Sequence, residues 1–208
     1  MDTTTLAAFL AVDLLLVLTP GADWAYAISA GLRDRSVVPA VAGLIAGYAG
    51  YTLLAVAGLV VIVASSPSLL TVLTVVGAAY LMWLGWGVLS RPAVPGASME
   101  AMSSSSSSRR QVMLKGAGIS GLNPKALLLY FSLFPQFIDS AAGWPVAAQT
   151  GLFGSLHMVA CAVVYLAVGL LARTVLKTRP SAARAVTRAS GAMMIVIGGF
   201  LLVERLVG

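Results

Sequence analysis

Long apolar runs separated by short polar turns dominate this chain. Runs that are predominantly apolar cover 6–32, 39–64, 69–89, 116–138, 146–172 and 189–207. Each is close to the about 20 residues that a helix needs to cross a bilayer. The last run ends in Glu204 and Arg205, a pair suited to the interface, where long charged side chains snorkel. Short polar turns, Arg33-Asp34-Arg35-Ser36, Ser65-Ser66-Pro67-Ser68 and Asp139 to Pro145, punctuate the runs. The one long polar connection, 91–115, carries Pro92, Pro95, Gly96 and six serines, Ser103 to Ser108, a composition that predicts flexible linker.

The pattern predicts an all-α integral membrane protein with six transmembrane helices, three on each side of the linker. The expected organisation is a first three-helix repeat over 1–90, a cytoplasmic linker over 91–115 and a second three-helix repeat over 116–208. The first run of each half is interrupted near its middle, by Thr19-Pro20-Gly21 and by Asn123-Pro124-Lys125. Proline inside a helix lacks an N–H and crowds the carbonyl four residues back. A Thr or Asn cap followed by proline is also how a helix begins, so each run is expected to be two half-helices, restarting at Pro20 and Pro124.

An odd number of spans per half requires the halves to insert with opposite orientation. The two restarted helices then leave the midplane in opposite directions, with their positive N-termini converging. Paired broken helices in inverted halves point to a transporter binding site. The plainer reading is two prolines that kink packed helices. Gly43 and Gly47 form a small-xxx-small face, which suits close helix packing either within one chain or in a homodimer.

Composition agrees. Of 208 residues, 59% are hydrophobic and only 10% charged. A soluble domain carries about 25% charged residues. The net charge of +6 does not indicate nucleic acid, because the basic residues form no continuous patch. They mark topology instead: the connections after the first, third and fifth runs hold two, four and five basic residues, eleven of the thirteen. By the positive-inside rule those connections are cytoplasmic and both termini lie outside. Leu6 to Leu18 followed by Ala25-Tyr26-Ala27 has the outline of a cleaved signal, but the residues before it carry Asp2 and no basic group, which argues against one.

Cys161 and His157 are the only residues of their types, so neither a disulfide nor a multi-ligand metal site is expected, and no cofactor motif is present. Asp13, Asp23 and Lys125 are the charged residues placed well inside the spans. Each costs about 2.5–3.5 kcal/mol on insertion scales unless it meets a partner or a watery cavity. Asp23 and Lys125 sit at the two breaks. They pair with each other, or they receive the ammonium and carboxylate of a bound zwitterion. Asp13, on the outer side of Asp23, is expected in a vestibule or at the interface. His157 titrates near neutrality when unperturbed, which suits a proton relay, although a lone helical histidine is more often held by a neighbouring group. Tyr48, Tyr51, Tyr80, Trp83, Trp86, Tyr130 and Tyr165 are expected as interface-belt or packing residues.

Several stretches also carry a family resemblance. Pro20-Gly21-Ala22-Asp23 resembles the Pro-Gly-Pro-Asp signature of the lysine exporter and homoserine/threonine exporter family (LysE/Rht type). Gly77 to Gly85, the stretch from Asn123-Pro124-Lys125 to Phe134-Pro135-Gln136-Phe137, and Ser190-Gly191-Ala192 with Ile197-Gly198-Gly199 are similar to its later helices. The resemblance implies a bacterial inner-membrane exporter of amino acids or their derivatives, coupled to protons. It places Pro20, Gly21, Asp23, Asn123, Pro124 and Lys125 in the translocation site, with Thr19 beside them. Asp23, Asp13 and His157 are the candidates for proton coupling. Ala22 replaces the signature's second proline, and His157 stands in a helix where many relatives carry an acid. The alternatives are a passive channel-like facilitator for small polar solutes, or a membrane assembly or structural protein. An enzyme is not expected, because no nucleophile–base pair is visible.

Overall fold

A computed structural model describes residues 3–33, 36–58, 66–90, 108–139, 141, 143–175 and 178–207. Their regular secondary structure is helical, with no strand among them. In chain order they form α1 (Thr3–Leu18), α2 (Ala22–Arg33), α3 (Val38–Val56), α4 (Pro67–Ser90), α5 (Arg109–Gly121) and α6 (Pro124–Leu128). A π-helical turn (Leu129–Leu133) leads to α7 (Phe134–Phe137), followed by α8 (Val146–Thr174) and α9 (Pro180–Val207). By length and apolarity α3 and α8 each suffice to cross a membrane, and α1 with α2 passes as one span bent by 55°.

Large apolar side chains point outward as well as inward. Leu15 and Leu53 are each 70% exposed, Trp83 and Trp86 each 67%. A soluble protein would hide such a belt, whereas hydrocarbon solvates it. Trp83 and Trp86 are among these outward-facing side chains.

The helices pack through small residues. A Cβ on Gly43 would lie 2.2 Å from the Met113 carbonyl, and one on Gly47 2.0 Å from Ser120 Oγ, so α3 and α5 touch backbone to backbone and run parallel. Thr52 faces Gly154 and Val56 faces Gly151, which makes α3 and α8 antiparallel. Gly85 meets Gly191 and Ala78 meets Gly198, so α4 and α9 are antiparallel too. The Gly43/Gly47 face is thus occupied within one chain.

Two expected boundaries are corrected. Residues 109–115, assigned above to the linker, are the first turns of α5; 91–107 lie outside the described residues. The cause is a capping box: Ser108 Oγ accepts from Gln111 N at 3.2 Å while Gln111 Oε1 accepts from Ser108 N at 3.0 Å. Ser108→Ala is expected to cost about 1 kcal/mol, lowering the melting temperature in detergent by about 2–4 °C. An unchanged melt would show the box to be dispensable. The final helix starts at Pro180 rather than 189, because proline is preorganised for a first helical position; Arg184 and Arg188 therefore stand on exposed helix, not in a loop.

Candidate functional site

At the first break, carbonyls at the end of α1 are taken up by side chains. Thr19 Oγ1 donates to the Leu15 carbonyl at 2.7 Å, and the Trp24 indole N–H to the Val17 carbonyl at 2.9 Å. The Lys125 ammonium, from the other break, donates to the carbonyls of Leu16 at 2.9 Å and Thr19 at 3.2 Å. A cation there faces the negative end of α1. Thr19 is therefore not the expected cap of the next helix: its hydroxyl closes α1. Pro20 is not a first helical residue either; α2 opens at Ala22, with Ala25 N bonded to the Gly21 carbonyl at 3.0 Å.

The second break follows expectation. Asn123 is the cap, in extended conformation, its Oδ1 accepting from Lys125 N at 3.0 Å, and Pro124 starts the helix. Asn123 has a second task, because its Nδ2 donates to Asp23 Oδ2 at 2.7 Å. One side chain thus ties the two breaks together across 100 positions of sequence.

Asp23 is 1% exposed. Its Oδ2 also accepts from Tyr48 Oη at 2.7 Å and Tyr165 Oη at 3.3 Å. Its Oδ1 is buried with no hydrogen-bond partner. The Asp23–Lys125 ion pair, one of the two readings left open by the sequence, is absent among the described residues; the ammonium is engaged by carbonyls instead.

Asp13 and His157 form a second buried cluster. Asp13 Oδ1 lies 2.6 Å from His157 Nδ1, with the two residues 0% and 3% exposed. Asp13 is thus neither in a vestibule nor at the interface, because the histidine of α8 draws it inward. Its Oδ2 also lacks a partner. Cys161 Sγ sits 3.5 Å from His157 Nε2, and the Tyr48 ring meets the imidazole edge-on with centroids 4.5 Å apart.

The tyrosines correct the sequence reading most. Tyr48, Tyr130 and Tyr165 are fully buried around the acids rather than at an interface. Tyr130 Oη lies 2.7 Å from Thr52 Oγ1 and donates to the Tyr48 carbonyl at 3.3 Å. The available signal was position: Tyr48 and Tyr165 occur inside their runs, where a phenol needs a partner. Tyr130 also borders a cavity of about 410 Å³ whose walls include Val56, Phe134, Ile138, Val146 and Thr150.

Residues 14–205 match the family model described as LysE type translocator. Among relatives, a leucine efflux protein of Klebsiella pneumoniae is 30% identical over 85% of this chain and 84% of its own length. A homoserine/homoserine lactone efflux protein of Salmonella typhimurium is 27% identical over 95% of this chain and 96% of its own. An uncharacterized membrane protein of Vibrio cholerae is 34% identical over 73% and 74%. No solved structure matches. Since the family match runs through both breaks and nearly the whole chain, the protein belongs to the LysE type translocators, a family of membrane transporters rather than enzymes.

Proposed function

We propose that this protein exports an amino acid or a close derivative across the bacterial inner membrane by proton-coupled antiport, with alternating access around the two breaks. Both termini then face the periplasm and the basic connections the cytoplasm. The observation that carries the reading is the unpartnered Oδ1 of Asp23, buried where the breaks meet. A buried carboxylate oxygen without a donor is costly unless something binds there. An α-ammonium group supplies what is missing.

Lys125 complements it. Two carbonyls take up two of its N–H donors, and an ammonium has three; the third serves a substrate carboxylate. Thr19, Pro20, Gly21, Asn123 and Pro124 supply the surrounding wall, and Gly21 leaves the backbone open beside Lys125, where a Cβ would lie 4.0 Å from Nζ. The antiparallel α3/α8 and α4/α9 pairs support two inverted three-helix repeats, since these are counterpart helices of the two halves. The cavity beside Tyr130 suits passage of an aliphatic side chain, in keeping with a relative named for efflux of leucine.

Proteoliposomes with an imposed pH gradient test this. Wild-type protein is expected to move L-leucine or L-homoserine against its concentration gradient. Lys125→Ala should lower the rate about tenfold or more. Movement only down the gradient would favour the passive facilitator, and movement of neither amino acid would remove the substrate assignment.

A further inference from the structure

We propose that Asp13 and His157 form the proton-binding site of the transport cycle, separate from Asp23, which serves substrate alone. The proposal rests on the exporter reading above and divides its acidic groups between two tasks.

Asp23 Oδ2 is held as an acceptor. The Asn123 amide N–H can only donate to it, because the Asn123 oxygen is committed to Lys125 N. The Asp13–His157 pair has room for a proton. With Asp13 ionised and neutral imidazole donating through Nδ1–H, the pair carries one negative charge. A further proton, on His157 Nε2 or on the unpartnered Asp13 Oδ2, brings it to zero. Per cycle one proton arrives from outside and leaves to the cytoplasm, and no heavy-atom bond changes.

The groups facing His157 fit this role. They are Asp13 from α1, Tyr48 from α3, Tyr130 beyond it at a ring distance of 6.0 Å, and Cys161 on its own helix. Both tyrosine rings meet the imidazole nearly at right angles, 84° and 85°. Asp23 is reached through Tyr48, whose hydroxyl it accepts. Phe9 and Phe153, each four residues before a member of the pair, close over it with centroids 4.4 Å apart.

The placement supplies coupling. Asp13 lies on α1 and Asp23 on α2, on opposite sides of the 55° bend. α8 holds both, through His157 and Tyr165. These are eight residues apart, about 12 Å along a helix. Straightening the break must strain one of those contacts, so occupancy of one acid influences the geometry of the other.

Because His157 is the single histidine, ¹⁵N-histidine labelling reports on it alone, with no substrate required. In lipid nanodiscs its ring signals should respond to pH, and Asp13→Asn should alter that response. Ring signals that do not respond to pH at all overturn the proposal, whatever the substrate proves to be. In transport, His157→Gln should lose pH-driven uphill export at least tenfold while exchange of labelled for unlabelled amino acid at fixed pH falls less than threefold. Uphill export by His157→Gln at the wild-type rate, or equal loss of both activities, overturns it as well. Absence of transport by the wild type would instead count against the exporter reading, and the titration still decides the proton site.

Discussion

Asp23→Asn is expected to abolish substrate binding while leaving the protein folded. The three donors on Oδ2 need an acceptor, so the amide oxygen of the new side chain must take that place. Its NH₂ group then falls where the buried Oδ1 was, and a buried donor left without an acceptor costs about 1–3 kcal/mol, a loss that a helical bundle of this size tolerates. Function suffers more, because the substrate ammonium loses its counter-charge. Breaking a buried charge pair costs about 3–5 kcal/mol, equivalent to a loss of about 10²–10⁴ in affinity. Equilibrium binding of labelled L-leucine or L-homoserine to purified protein measures it, alongside size-exclusion profiles that report folding. Tyr165→Phe removes the 3.3 Å contact but leaves the donors from Asn123 and Tyr48 on Oδ2, and should weaken binding by a few-fold. If Asp23→Asn binds as tightly as wild type, the substrate does not sit on this carboxylate.

The elements most legible in the sequence were those set by local physics. Apolar runs gave the long helices, and proline after a capping residue gave both interruptions. The starts of α5 and α9 were also readable, in Ser108 with Gln111 and in Pro180, although composition and hydropathy pulled those boundaries toward loop. Side-chain choices between competing partners were not readable. Thr19 has the chemistry of a cap, yet its hydroxyl turns back to the Leu15 carbonyl, which also accepts from Thr19 N at 3.1 Å. Lys125 has the charge to pair with Asp23, yet the Leu16 and Thr19 carbonyls claim it. The Asp13–His157 and Asp23–Asn123 contacts span 144 and 100 positions, and no periodicity encodes which helix faces meet. Buried tyrosines were assigned to the membrane interface because amphipathic rings usually lie there; here the acids supply partners at depth.

Gly43→Ala is expected to be the most destabilising single methyl on α3. The added carbon would stand 2.2 Å from the Met113 carbonyl oxygen and 2.8 Å from Met113 Cα, both backbone, which cannot rotate away. The reciprocal approach is as tight, since a Cβ on Gly116 would meet the Ala40 carbonyl at 2.8 Å. Relief requires α3 and α5 to separate, and overpacking of this kind costs about 1–3 kcal/mol. Separation also stretches two links between them, Ser120 Oγ to the Leu44 carbonyl and Tyr51 Oη to the Gly121 carbonyl, each 2.7 Å. The melting temperature in detergent should fall by about 4–10 °C. Gly50→Ala is the matched comparison: nothing lies within 4 Å of its Cβ position, and replacing a mid-helix glycine should hold or raise stability by about 0.5–1 kcal/mol. Equal melts for the two variants would mean that α3 and α5 are not in backbone contact. The effect reaches the site because α5 runs directly into Asn123, whose amide must stay 2.7 Å from Asp23. A shift of α5 therefore loosens the only direct side-chain bond seen between Asn123 and Asp23, and Gly43→Ala protein that survives purification should bind substrate more weakly than Gly50→Ala.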